Sequence, residues 1–197
     1  MQFQKLFLGC LFWACVVVSL EGRAGAGDGA RLNALFTDRF FTAYESGQCG
    51  KNVMGLLNEA HRHEVDVASA RILKITNEGN TVFGMVNAEL ARGGRHVRHG
   101  TQRPVEESNW YHHIVLEMDC MVYDFDYLNA PTVTPLQGYL ENMFLNEHPR
   151  GKFPVGRDVK LRDYRVKIYN APDYFANPAR PAAGGSLWLS GLLQECR

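Results

Sequence analysis

The hydrophobic and polar positions of the chain change period along its length. From Arg31 to Tyr44 (RLNALFTDRFFTAY), Leu32, Leu35, Phe36, Phe40 and Phe41 recur close to i, i+3, i+4, which predicts a helix. A Glu-Ser-Gly-Gln break follows. Val53, Met54, Leu56, Leu57 and Ala60 then form a second apolar face ending near His61 to His63, with Cys49 at or just before that helix's N-terminus. From Val65 the period falls to two. VDVASARILKITN and TVFGMVNAEL are alternating, β-branched runs separated by Glu78-Gly79-Asn80, which predicts a hairpin. Ala91 to Asn109 is polar, rich in Arg, Gly and His, and reads as a loop. In WYHHIVLEMDCMVYDFDYL two apolar runs meet near Glu117 to Asp119, a second antiparallel pair. Pro131 and Pro135 lead into a helix with Leu136, Tyr139, Leu140, Met143 and Phe144 at helical spacing. A basic loop (HPRGKFPVGRDVKLRD) precedes YRVKIYN, the last expected strand, and the Pro, Ala and Gly of Ala171 to Gly185 predict an irregular tail before SLWLSGLL. Helices around an antiparallel sheet make this an α+β domain.

The first 26 residues differ from the rest. Lys5 is followed by an apolar run from Leu6 to Leu20 and by the small-x-small pattern Ala24-Gly25-Ala26, which reads as a secretory signal peptide. A membrane anchor is the rival, but the run is shorter than the ~18 apolar residues a spanning helix needs. Export to the periplasm or outside the cell is therefore expected. No membrane span is expected after the leader is removed, and residues 27–197 are expected to form a single domain. Cys10 and Cys15 leave with the leader; Cys49, Cys120 and Cys196 stay. An exported chain with three cysteines can form one disulfide and keep one thiol. Pairing Cys120 with Cys196 would leave Cys49 free, although spacing alone does not choose that pairing. No zinc-type Cys/His spacing appears, so no metal is expected. The 21 basic and 21 acidic residues balance, so attraction to nucleic acid or an anionic membrane would need a local patch. A small molecule, peptide or protein is the expected partner.

Thiol catalysis needs a thiolate, an imidazole beside it, and a third group that fixes the imidazole tautomer. The partial positive charge of a helix N-terminus favours an anionic sulfur at Cys49, and Lys51 in the first turn acts in the same sense. The imidazole candidates are His112 and His113. Neighbours on a strand face opposite ways, so at most one of them faces the cysteine. The acid candidates are Asp124 and Asp126, placed on one face of the next strand. Cysteine on a helix tip, histidine on one strand and acid on the neighbouring strand is the layout of papain-like and transglutaminase-like enzymes.

These residues belong to a wider pattern: Tyr44 five residues before Cys49, then Asn52-Val53; AxxxxITNE from Ala70 to Glu78; Trp110 to Leu116 as W-x-x-H-[IV]-V-L; Tyr123 to Asp126 as Y-D-[FL]-D; YLENMF; and Tyr164 to Val166, with a later Tyr174. In this order the chain resembles the protein N-terminal glutamine amidohydrolases, papain-like enzymes that convert an amino-terminal glutamine to glutamate. The resemblance covers roughly residues 44–175. It implies Cys49 as nucleophile, His113 as base and Asp124 as orienting acid. It also implies ammonia release through a thioester, and no cofactor. Trp110, Tyr44 and Asp126 are the candidate substrate-binding residues. The family carries acidic residues just after the cysteine, where this chain has Gly50 and Lys51. With the leader, that difference widens the expected substrate to internal glutamine as well as amino-terminal glutamine. The alternatives are a papain-like cysteine peptidase or acyltransferase, and a non-catalytic secreted binding module that uses the Arg/His loop from Arg92 to Arg103.

Overall fold

The computed structural model describes residues 26–45, 47–77, 82–85, 107–127, 130–148, 151–154, 164–179 and 186–196. The expected leader lies outside these residues except for Ala26, which opens the first helix. The architecture is α+β, built on a six-stranded antiparallel sheet. Helix α1 spans Ala26–Thr42 and α2 spans Cys49–Arg62. The sheet is formed by β1 (Arg71–Asn77), β4 (His113–Met118), β5 (Met121–Tyr123), β6 (Val133–Pro135), β9 (Tyr164–Asn170) and β10 (Leu187–Trp188), in the order β10-β9-β1-β4-β5-β6. Two hairpins lie outside it: β2 (Val82–Met85) with β3 (Glu107–Trp110), and β7 (Leu145–His148) with β8 (Gly151–Pro154). Helices α3 (Leu136–Met143), α4 (Ala171–Ala176) and α5 (Leu189–Leu192) complete the elements among the described residues. Among the described residues no helix is long and apolar enough to cross a membrane.

Period-two alternation sorts the sheet residues into two cores. Ile72, Ile114, Leu116 and Tyr123 pack with Leu32 and Phe36 of α1 and Val53 and Leu56 of α2. Leu73, Ile75, Val115 and Val166 face the other way, onto Tyr139 and Leu140 of α3 and Leu189 and Leu192 of α5. With a helical layer on each side, all six residues of β4 are buried. Helices α1 and α2 pack closely at Gly55, where Arg39 lies across the backbone on its way to Glu59; a side chain at Gly55 would displace the guanidinium.

Several expectations are corrected. Strand β1 begins at Arg71 rather than Val65, and β2 pairs with β3, not with β1. The polar loop ends early, because Glu107–Trp110 is strand; residues 91–106 lie outside the described residues. Strand β7 runs from the end of the expected helical segment into the basic loop, and β8 lies within that loop. The expected irregular tail begins with a helix, since Asn170 caps α4 by accepting the Asp173 N–H and Pro172 suits its first turn. YRVKIYN is not the last strand, because β10 pairs beside it. The hairpin near Glu117 to Asp119 is present as β4–β5, and it turns on Asp119 and Cys120. Both residues have positive φ, 53° and 62°, the backbone of the two-residue turns that match strand twist.

Candidate active site

Three chain segments meet at one end of β4. Cys49 is the first residue of α2, after the cap residue Gln48, whose side chain makes no capping bond. The helix ladder begins with the Asn52 N–H on the Gln48 carbonyl at 2.9 Å. No acidic residue sits in the first turn. The N–H groups of Cys49 and its successors therefore receive no side-chain cap, and they point toward the space ahead of the helix.

The approach to the helix is fixed by Asn52, which is buried. Its side chain accepts the Glu45 N–H at 3.0 Å and donates to the Glu45 carbonyl at 2.8 Å, closing the Glu45–Gln48 turn against the helix. Asn52→Ala leaves both backbone groups without these partners. It is expected to cost about 2 kcal/mol of stability, measured by urea unfolding. The Glu45 carboxylate reaches forward to Lys51 Nζ at 2.6 and 2.7 Å, on the exposed rim.

Of the two histidines, His113 is the one whose ring is hydrogen-bonded to an acid and is influenced by the Cys49 thiol. It is fully buried at the start of β4, and its Nε2 lies 2.9 Å from Asp124 Oδ2. With Nε2 engaged there, the other ring nitrogen is left for the Cys49 thiol, which lies near enough to favour the protonated imidazole. Burial by itself would lower the imidazole pKa. The charge of Asp124, its hydrogen bond and the Cys49 contact outweigh it and hold His113 well above 6.5. His112 is not on the strand but in the bend before it, and its carbonyl lies 3.9 Å from Cys49 Sγ.

Asp124 and Asp126 also lie beyond their expected strand, because β5 ends at Tyr123. The turn gives Asp124 three partners. His113 and the Tyr139 hydroxyl, the latter donating at 2.8 Å, share Oδ2, and the Asp126 N–H donates to Oδ1 at 2.8 Å. Burial would raise this carboxyl, but His113 and those donors hold it below its ordinary value. Tyr44 donates its hydroxyl to Asp126 Oδ1, and both are buried at 1 % and 4 % exposure. Of the other candidate substrate residue, Trp110, only the backbone is described: it ends β3, paired with Val82. The ligand atoms of His113, Asp124 and Asp126 lie within 4.8 Å of one another, a spacing a metal could use. Their hydrogen bonds to each other and to the two tyrosines already occupy much of that donor set.

In the sequence Tyr139 stands only as an apolar position at helical spacing. The signal available was its polar tip on a face otherwise made of Leu and Met. Its contribution can be measured. Tyr139→Phe removes a donor that favours the Asp124 anion, so it is expected to lower stability by about 1 kcal/mol at neutral pH. Because a depressed carboxyl stabilises only while ionised, that deficit should fade as pH falls through the depressed titration of Asp124. Urea unfolding across the acid range checks it. Tyr174, on α4, belongs to the same buried cluster as Cys49, and its phenol is pushed up by burial, by Tyr169 and by Cys49.

Cys120 and Cys196 form a disulfide with Cα atoms 5.7 Å apart, and among the described residues Cys49 is the free thiol. A scan against protein-family models finds no match, and a search of the curated proteins finds none either.

Proposed function

We propose that this protein is a thiol amidohydrolase that converts glutamine side chains of peptides or proteins to glutamate, within a papain-like arrangement of nucleophile, base and acid. The observation that carries this reading is a buried imidazole hydrogen-bonded to a triply bonded carboxylate, with the Cys49 thiol near enough to favour its protonation. The resemblance of the segments around Cys49, His113 and Asp124 to the N-terminal glutamine amidohydrolases supplies the substrate class.

The residues act in sequence. His113 takes the Cys49 proton, and the sulfur attacks the carboxamide carbon, forming the C–S bond and placing charge on the former carbonyl oxygen. N–H groups at the uncapped tip of α2 are suited to hold that oxygen. His113 returns its proton to the nitrogen as the C–N bond breaks and ammonia leaves. It then deprotonates water, which cleaves the thioester to glutamate and the free thiol. Asp124 keeps the imidazole oriented through both steps. The Glu45–Lys51 pair leaves the rim without a surplus negative charge, which supports acceptance of glutamine lacking a free amino group.

The test is ammonia release from two glutamine peptides, one with a free amino terminus and one internal and acetyl-capped. Release from both, lost in Cys49→Ala, is expected; release from neither contradicts the reading.

A further inference from the structure

We infer that the α1–α2 side of β1 and β9, toward Cys49, is a cationic shelf for acidic residues flanking the target glutamine, a conclusion that rests on the glutamine reading for its peptide but not for its charge. Strand register builds the shelf. Ile72 and Tyr169 pair across β1 and β9 and pack on the α1–α2 side. Alternation then puts the next pairs, Lys74 with Lys167 and Thr76 with Arg165, on that same side. Trp188 pairs with Arg165 on β10, and its ring lies 3.7 Å under the guanidinium.

This row starts one strand away from the residue that supports the first turn of α2. Lys74 is paired on its other flank with Ile114, against which the first turn of α2 rests: a Cβ on Gly50 would stand 3.3 Å from Ile114 Cδ1. Lys74 is also near enough to His112, whose carbonyl faces Cys49, to disfavour its protonation, after the larger effect of burial. At about 4.8 Å per strand, Lys74 and Lys167 stand roughly 5 and 10 Å from Ile114 across the sheet. An extended substrate advances about 3.3 Å per residue, so the shelf meets side chains within about three residues of the glutamine.

Like charges directly opposed on neighbouring strands are destabilising. Among the described residues no carboxylate forms an ion pair with Lys74, Lys167 or Arg165. Other cations among the described residues are paired, as at Arg71 with Glu117 and Glu195 and Lys51 with Glu45. A cationic row that no described carboxylate pairs with, beside the free thiol Cys49, fits an anionic partner at that site.

The experiment measures binding of dye-labelled glutamine peptides to Cys49→Ala protein by fluorescence anisotropy, with acidic, neutral or basic flanks, at low and high salt. The acidic peptide is expected to bind about tenfold tighter than the neutral one, with the advantage screened by salt. Lys74→Gln with Lys167→Gln should remove that preference. Lys74→Glu with Lys167→Glu should transfer it to the basic peptide, an outcome a misfolded variant does not give. Equal binding of all peptides, an acidic preference unaffected by these variants, or tighter binding of a single-stranded oligonucleotide than of the acidic peptide overturns the inference. An acidic peptide with glutamine replaced by alanine should still bind. Binding with the predicted charge dependence but without ammonia release from any peptide would sink the amidohydrolase reading alone.

Discussion

Asp124→Asn is expected to slow Cys49-dependent ammonia release by about four orders of magnitude, the scale seen when a triad acid loses its charge. The effect is large because the carboxylate does two things at once. It fixes which ring nitrogen of His113 faces the sulfur, and it offsets the burial that would otherwise keep the ring neutral. An asparagine of the same shape can present an amide N–H where the imidazole requires an acceptor. The same substitution should cost about 3 kcal/mol of stability near neutral pH, because it leaves a buried partner uncompensated. The sign of the pH dependence follows from the two shifts. His113, raised above its unfolded value, contributes stability that is full below about pH 6.5 and is lost as pH rises through its folded value. Asp124, depressed, contributes stability that is present above its unfolded value and is lost as pH falls through the depressed one. The cost of Asp124→Asn should therefore be greatest between those limits and shrink on either side. Steady-state rates at one pH and urea unfolding at several pH values measure both parts.

Replacing both Cys120 and Cys196 by serine is expected to lower stability by about 4 kcal/mol, with the urea midpoint falling by roughly 2 M. The bridge spans a sequence separation of 76 residues and anchors the segment that carries β10 and α5. Leu189 and Leu192 of that segment are fully buried in the core that holds Tyr139, whose hydroxyl supports Asp124. A charge network reinforces the clip. Glu117 accepts the Cys120 N–H at 2.7 Å and binds Arg71, which also binds Glu195, next to Cys196. Loss of the bridge should therefore weaken the acid's support as well as the tail. A variant as stable as the parent would show that the buried leucines and ion pairs hold the tail unaided.

The elements that were legible in the sequence were those whose residues carry their own signal. Helix α2 showed its apolar stripe, β4–β5 its paired runs, and Cys49 its position at a helix start. His113 and Asp124 could be placed by the resemblance, but residue spacing left His112 and Asp126 equally open, because both acids were put on a strand that in fact ends at Tyr123. The β4–β5 turn carries Asp-Cys rather than Asn-Gly, so its left-handed backbone left little trace in composition. Helix α4 was hidden by its Pro and Ala, since the cap on Asn170 is a local hydrogen bond rather than a periodic pattern. Strand β2 was paired with the nearest run in sequence, whereas its partner is separated by a long intervening segment. The cationic shelf was illegible for a related reason. Lys74 and Lys167 are far apart in sequence and meet only through register, which no balance of total charge reveals.

The most direct test of the account is the mass of the protein itself, acid-quenched seconds after mixing with an acetyl-capped peptide containing one internal glutamine. A thioester on Cys49 with the mass of the whole peptide less ammonia is predicted, absent in Cys49→Ala. An adduct holding only the amino-terminal fragment of the peptide would mean that Cys49 attacks the backbone amide, and would contradict glutamine amidohydrolysis in favour of a peptidase.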